Sequence, residues 1–314
     1  MNTVAPIVTI ALATNIHRQG SPRGEAHMLS NPMFWDSNEN QVGLLQTDRG
    51  MNYMLLDTSF TMVPLIRKAD TTFTDFLLSD ASAQKCKIAI NGNFFGLGTG
   101  DKAKAHGRSV VAASDVEVQG QVVQAGKVIA GDSRPDSFWF GQLSLCGPGA
   151  AGCRFVGGKG DPPTDSRVVA AMGGLGPLIV EDLPYGVGNK YKPGAPAGTA
   201  EPDEGEPSQI AKRYLIQRNN KTFIKQNDHS AETGKAVLAY CVERNRLLVG
   251  LQEDGTTPGM KISQLAYDLL NLGFDDAVFL DGSDSATLMV DGKMVVTPGG
   301  YKDHAIVVGV GFTR

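Results

Sequence analysis

The sequence predicts an α+β fold: a strand-rich mixed sheet with many hairpins and few helices. Three observations carry this expectation. Glycine is abundant, at 38 of 314 residues, and 16 prolines accompany it, a composition that favours tight turns over a helical bundle. Apolar and polar residues alternate in short segments separated by turn residues, as in "DVEVQGQVVQAGKVIAG" at 115–131. A helical apolar period is clear once, where Ile262, Leu265, Ala266, Leu269 and Leu270 fall at i, i+3, i+4, i+7 and i+8.

Taken in order, residues 5–13 and 42–57 read as strands. "DTTFTDFLLSD" at 70–80 reads as a short helix with Asp70 or Thr71 near its N-cap. "CKIAI" at 86–90 is a continuous apolar run of the kind found in central strands, and it empties into the loop "NGNFFGLGTGD". Residues 136–145 and 166–172 are further strands, and "GPLIVED" at 176–182 is another. The Pro/Gly/Glu-rich stretch 191–209 is expected to be an exposed insertion. "KRYLIQRNNKTFIK" at 212–225 predicts a locally basic hairpin turning at Asn219 and Asn220. A second hairpin spans 235–252 and turns at Glu243–Asn245.

The periodic helix follows and stops at Gly273, as a C-terminal glycine should. The strand "DAVFL" comes next, and then a hairpin of 286–290 and 293–296 across Asp291 and Gly292. "HAIVVGVGF" at 304–312 closes the chain as a strand. No repeat of fixed period and no dividing linker is visible. Residues 1–85, strands and a short helix, are therefore expected to share one domain with 86–314.

Charge and cysteines bound the function. A net charge of −4 excludes the strongly basic footprint of a nucleic-acid binder. No apolar run approaches the roughly 20 residues of a membrane-spanning helix. The apolar start lacks a positive n-region and a small-residue cleavage site, which favours a cytoplasmic protein; a chain whose signal had been removed would be extracytoplasmic. Cys86 and Cys241 sit in apolar runs and read as buried thiols. Cys146 and Cys153 flank "GPGAAG", a loop flexible enough to close a disulfide. Oligomeric state is not written in these patterns.

The phosphate-loop, zincin, nucleophile-elbow and EF-hand signatures are all absent. What remains is a pair of loops, each following a central apolar strand. "INGNFF" places Asn91 and Asn93 around Gly92, and "LDGSDSA" places Asp281 and Asp284 around Gly282 and Ser283, with Ser285 beyond. A strand end holds a polar side chain rigidly at a sheet rim, and glycine admits a ligand to the backbone. Successive small residues can also expose N–H groups that cradle an oxyanion. Asp281 is thus a candidate acid, base or nucleophile. The asparagines suit sugar hydroxyls or phosphate oxygens. Asp-Gly and Asn-Gly are also common turns, so each loop alone has a purely structural reading.

The ordered set of segments resembles the phosphodiester glycosidase family. The set is "INGNFF", "GPLIVED", the hairpin "GKAVLAYCVERNRLLVGLQEDG", "GMKISQLAYDLLNLGFDDAVFLDGSDSATLMVDGKMVV" and "HAIVVGVGF". The resemblance runs from about Cys86 to Arg314 and is strongest over 255–313. The family's "NGGFF"-like and "LDGGGS"-like loops match here at Asn91, Gly92, Phe94, Phe95, Asp281, Gly282 and Ser285. The resemblance implies a mixed α/β fold rich in antiparallel strands. It also implies cleavage of the bond between a sugar's anomeric carbon and a phosphodiester oxygen. Two arginines usual in the family are absent: this chain has Ser230 near one position and His304 at the other. Ser283 and Asp284 replace two glycines. Lys235, His229, His304 or the basic hairpin are the candidates to supply the missing positive charge.

On this reading Asp281 is the principal carboxylate, with Asp284 as the second and Asn91 and Asn93 orienting sugar or phosphate. His304, with His229, His106 or Arg108, would contact the phosphate. No cofactor is required. A divalent cation such as calcium at Asp281 and Asp284 is the one metal site the sequence allows, because Asp275 and Asp276 lie across the strand, roughly 13 Å away. The competing classes are a non-catalytic sugar-phosphate or nucleotide binding module, and a phosphodiesterase cutting P–O with two metals.

Overall fold

Strand alternation and its partners decide the architecture. The computed structural model describes residues 8–9, 44–47, 49–135, 137–145, 152–180, 183–184, 217–218, 221–222 and 231–314. The predicted 191–209 insertion, Cys146 and His229 lie outside them. Among the described residues a larger sheet runs in the order Val8–Thr9, Leu44–Gln46, Met51–Leu56, Arg246–Gln252, Lys235–Cys241, Asp276–Phe279, Val168–Val180, Phe138–Ser144 and Cys153–Lys159. Val122–Gln124 joins Val168–Val180 and pairs in turn with Lys127–Ala130. A smaller sheet has the order Lys293–Val296, Leu288–Val290, Ile88–Asn91, Val308–Thr313 and Thr61–Ile66. The named strands pair antiparallel except Val8–Thr9 with Leu44–Gln46, which is parallel and makes the larger sheet mixed.

The period of two sorts side chains between layers. In Lys235–Cys241, Ala236, Leu238 and Tyr240 face the core between the sheets, with Ile88, Ile90, Val310 and Phe312 opposite. Val237, Ala239 and Cys241 point the other way, onto Leu265, Ala266 and Leu269 of the helix Ile262–Asn271. The smaller sheet repeats the pattern: Leu65, Ala89 and Met289 leave the central core and meet Phe73, Phe76 and Leu77 of the helix Phe73–Ser79. The result is helix, sheet, sheet, helix. Strands from before residue 86 are built into both sheets, Met51–Leu56 against Arg246–Gln252 and Thr61–Ile66 against Val308–Thr313.

Several sequence expectations shift. The cap of the first helix is Thr72, whose hydroxyl accepts from the Asp75 N–H at 3.0 Å, one residue beyond the predicted position. The strands expected at 166–172 and 176–182 are one, Val168–Val180, bent where Gly174 takes a φ of 70°. "TGDKAKAH" forms a helix, Thr99–His106, where a loop was expected. It lacks an apolar stripe and buries only Ala105, but Asp101 in its first turn and Lys104 and His106 in its last complement the helix dipole. Pro64 sits in the smaller sheet's edge strand, where a missing N–H is tolerated. The last strand begins at Val308, because residues 302–306 form a tight turn with the Ala305 and Ile306 N–H groups on the Lys302 carbonyl.

Candidate active site

The central strands Ile88–Asn91 and Asp276–Phe279 end at the same place, one from each sheet, and their ends are hydrogen-bonded together. The Asn91 Nδ2 donates to the Asp281 carbonyl at 2.6 Å. The Asp281 N–H donates to the Gly92 carbonyl at 3.1 Å. The Thr287 N–H donates to the Asn91 Oδ1 at 3.0 Å, so one amide fixes both ends of the Asp281 loop. A Cβ on Gly92 would lie 2.5 Å from the Met172 Cε and 3.0 Å from the Val308 carbonyl, so the junction excludes a larger residue.

After Asp281 the chain makes a tight turn, Ser283–Ser285, with Ser283 at a left-handed φ of 57°. Its backbone N–H groups are committed. Gly282 donates to the Asp281 Oδ1 at 3.1 Å, Ser283 to the Gly234 carbonyl at 2.7 Å, and Ser285 to the Gly282 carbonyl at 3.1 Å. The anion-cradling nest expected of this loop therefore does not form at these three amides. The requirement for small residues has another cause: a Cβ on Gly234 would approach the Ser283 carbonyl to 2.2 Å. Gly234→Ala is accordingly expected to displace the turn. The outcome should be a fold destabilised by about 1–3 kcal/mol, with Asp281 and Asp284 out of register, read by thermal denaturation beside phosphate-linked sugar hydrolysis.

Asp281 Oδ2 and Ser285 Oγ are both shut away from solvent, and the Ser285 hydroxyl is the side-chain donor beside Asp281. Burial raises the pKa of Asp281. Lys302, the neighbouring Ser285 hydroxyl and the Gly282 N–H oppose that rise, and Asp284 adds to it. Burial likewise raises Asp284, against Lys302 and together with Asp254. Asp254 is held in place by the Gly234 N–H at 2.8 Å. The centre is therefore two carboxyls, Asp281 and Asp284, whose ionisation burial makes costly, with the Lys302 ammonium opposing that cost at both.

Lys302, Asp254 and Tyr301 were not singled out in the sequence, and Phe95 was named only as a match to the loop motif. Lys302 stands two residues before His304, so a search for cations near that histidine would have found it. Its Nζ lies 4.7 Å from the Phe95 ring centroid and 5.4 Å from that of Tyr301. Lys235, a predicted compensating cation, is buried and donates to the Ala231 and Thr233 carbonyls at 3.1 and 2.5 Å. That commitment makes it a support for the 231–235 loop.

The other predicted residues separate. Asn93 is buried, with its Nδ2 on the carbonyls of Gln119, Gly120 and Gly173 and its Oδ1 unpartnered. His304 is half-buried with an unpartnered Nδ1, in the same turn as Lys302. His106 is exposed but stacks on Tyr301 with centroids 4.2 Å apart, which ties it to that turn. Arg108 is exposed just beyond the helix, at a φ of 61°. Among the described residues no three His, Cys, Asp or Glu side chains converge with metal-ligand spacing. A divalent cation at Asp281 and Asp284 would take most of its shell from water and ligand. A separate cavity of about 390 Å³, lined by Ile66, Lys68, Glu117, Asp132 and Val307 among others, includes none of the candidate residues.

Residues 84–313 match the family model for phosphodiester glycosidases. The chain belongs to the phosphodiester glycosidase family. No curated protein matches it in sequence. Among solved structures it is similar to the catalytic domain of zebrafish N-acetylglucosamine-1-phosphodiester alpha-N-acetylglucosaminidase, in a form auto-inhibited by its pro-peptide. Identity there is 14%, over 84% of this chain and 77% of that one, with a TM-score of 0.51. This likeness is one of fold. A Burkholderia pseudomallei protein described as exported aligns at 12% identity over 84% and 74% of the two chains, TM-score 0.45. A hypothetical protein of Synechocystis aligns at 11% over 88% and 64%, TM-score 0.38. Asp281 and Asn91 lie within the matched residues and hydrogen-bond one sheet's strand end to the other's.

Proposed function

We propose that this phosphodiester glycosidase family member hydrolyses the anomeric C–O bond of a sugar-1-phosphodiester. One observation carries the reading: a strand-end carboxyl, Asp281, buried beside the Ser285 hydroxyl, with a second carboxyl and an ammonium in its field. A carboxyl desolvated at a strand end, with its pKa raised by that burial, suits an acid, base or nucleophile.

The chemistry suits this set. The leaving group is a phosphate monoester, whose second pKa is roughly 6, so it departs with little help from an acid. The remaining tasks are to hold the phosphate charge and to stabilise an oxocarbenium-like sugar. Burial makes the ionised Asp281 a stronger base than an exposed carboxylate. It activates water or attacks the anomeric carbon itself. Asp284 is the second carboxylate. Asn91 acts as a positioning residue through the Asp281 carbonyl. Asn93 supports the loop from behind, through the Gln119, Gly120 and Gly173 carbonyls.

Turnover of a panel of nucleotide sugars and sugar-1-phosphodiesters in water labelled with heavy oxygen tests the bond that breaks. Label in the sugar is the expected result. Label in the phosphate would assign P–O cleavage, and binding of one panel member without turnover would assign a binding module.

A further inference from the structure

We propose that Lys302 is the anion contact of this site: its ammonium, held over the Phe95 ring, binds the phosphoryl group of the substrate while Asp281 faces the anomeric carbon. This rests on the phosphodiester glycosidase reading above and adds the residue that recognises the phosphate.

The backbone of Lys302 is fixed without using its side chain. Its N–H donates to the Gly299 carbonyl at 3.2 Å, and its carbonyl accepts from Ala305 and Ile306 at 2.8 and 2.9 Å. Gly299 in turn donates to the Asp284 carbonyl at 2.7 Å, so this turn and the Asp281 turn are one unit. The two turns pack against each other. Among the described residues the ammonium makes no ion pair within 4.0 Å and no hydrogen bond. What it meets is the face of Phe95 at 4.7 Å, a contact that holds a cation while leaving its N–H donors for a ligand. The turn that carries it lies against Asp284, where a Cβ on Gly300 would sit 3.6 Å from the Asp284 Oδ2, and its field reaches both Asp281 and Asp284. An ammonium so placed offsets the repulsion that two carboxyls would present to a bound phosphate.

Several other donors near the turn are already used. The turn's N–H groups at Gly282, Ser283 and Ser285 are used internally. Lys235 is committed to carbonyls. A departing phosphate needs positive charge beside it, and Lys302 lies in the turn that also bears His304. His106, its ring centroid 4.2 Å from that of Tyr301, lies beside the same turn.

The test is inorganic phosphate binding by calorimetry to wild type, Lys302→Met and Lys302→Arg, beside KM and kcat on a turned-over panel member. Charge-assisted contacts of this kind are worth about tenfold or more in affinity. Lys302→Met should weaken phosphate by that factor and raise KM, and Lys302→Arg should restore most of both. Lys302→Gln reads the same way if the methionine variant fails to fold. Unchanged phosphate affinity in both neutral variants overturns the assignment and leaves Lys302 as charge balance only. A wild type that binds no phosphate also overturns it. The binding arm is independent of turnover. Loss of phosphate affinity in an enzyme that cleaves nothing sinks the hydrolase reading and keeps the subsite, and the converse result does the opposite.

Discussion

Asp281→Asn is expected to cost the enzyme about 10²- to 10⁴-fold in turnover, the range for removing a group that moves a proton or attacks in the transition state. The same substitution is expected to stabilise the fold at neutral pH. Burial raises the Asp281 pKa above that of an unfolded chain, about 3.9. Such a carboxyl binds its proton more tightly when folded, so its contribution is fully present below the unfolded pKa. It is lost as pH rises through the folded value. Asparagine does not titrate and keeps the Oδ1 that accepts the Gly282 N–H. The two proteins should therefore melt together in acid, with the variant gaining as pH rises. Each kcal/mol recovered should appear as roughly 2–4 °C of Tm. Asp284 and Lys302 face the same group and shape the midpoint, but the sign comes from burial. Melting curves from about pH 4 to 9 with turnover at each point decide it. A variant less stable than wild type across that range would mean that the carboxylate is held by bonds stronger than its desolvation.

The central strands were legible because burial on both faces leaves a plain trace. "CKIAI" sends Ile88 and Ile90 to the inter-sheet core and Ala89 to the helix side, and no polar residue is tolerated at any of the three. The loops after them were legible for the same reason, since a carboxylate following such a run has to be explained. How those loops meet was not. Asn91 and Asp281 are 190 residues apart, and nothing local records that the amide of one holds the carbonyl of the other. Of the spent N–H groups in the 282–285 turn, that of Ser283 depends on Gly234, again distant in sequence. Lys302 left no period because it lies in a turn, and its significance comes from Phe95, Asp281 and Asp284. The helix Thr99–His106 escaped for the opposite reason: it buries one alanine and so shows no stripe.

Arg67→Met should be among the most destabilising single changes in the chain. Arg67 is fully buried, yet its guanidinium meets backbone carbonyls. Nε donates to Ile306 at 2.8 Å, Nη1 to Ala69 and Thr71 at 3.2 and 2.9 Å, and Nη2 to Val111 at 2.8 Å. Burial lowers its pKa, while Asp70 and Asp303 pull it back up. Methionine fills similar volume but offers no donor, leaving the buried Ile306 and Val111 carbonyls and the partly buried pair at Ala69 and Thr71 to find water. Each unsatisfied group costs about 1–3 kcal/mol, reduced by relaxation, so a loss on the order of 3–5 kcal/mol is expected. That corresponds to a fall in Tm of about 10 °C or more. Arg67→Lys should fall between, because one ammonium cannot span carbonyls from three segments. The effect reaches the active site through the chain itself. Ile306 closes the turn that begins at Lys302, and Val111 donates to the His304 carbonyl at 3.0 Å. Loosening that turn releases the ammonium from Phe95, so phosphate affinity should fall at temperatures where Arg67→Met is still folded. A variant that melts within a degree or two of wild type would show that water satisfies those carbonyls, and that the Lys302 turn holds without the guanidinium.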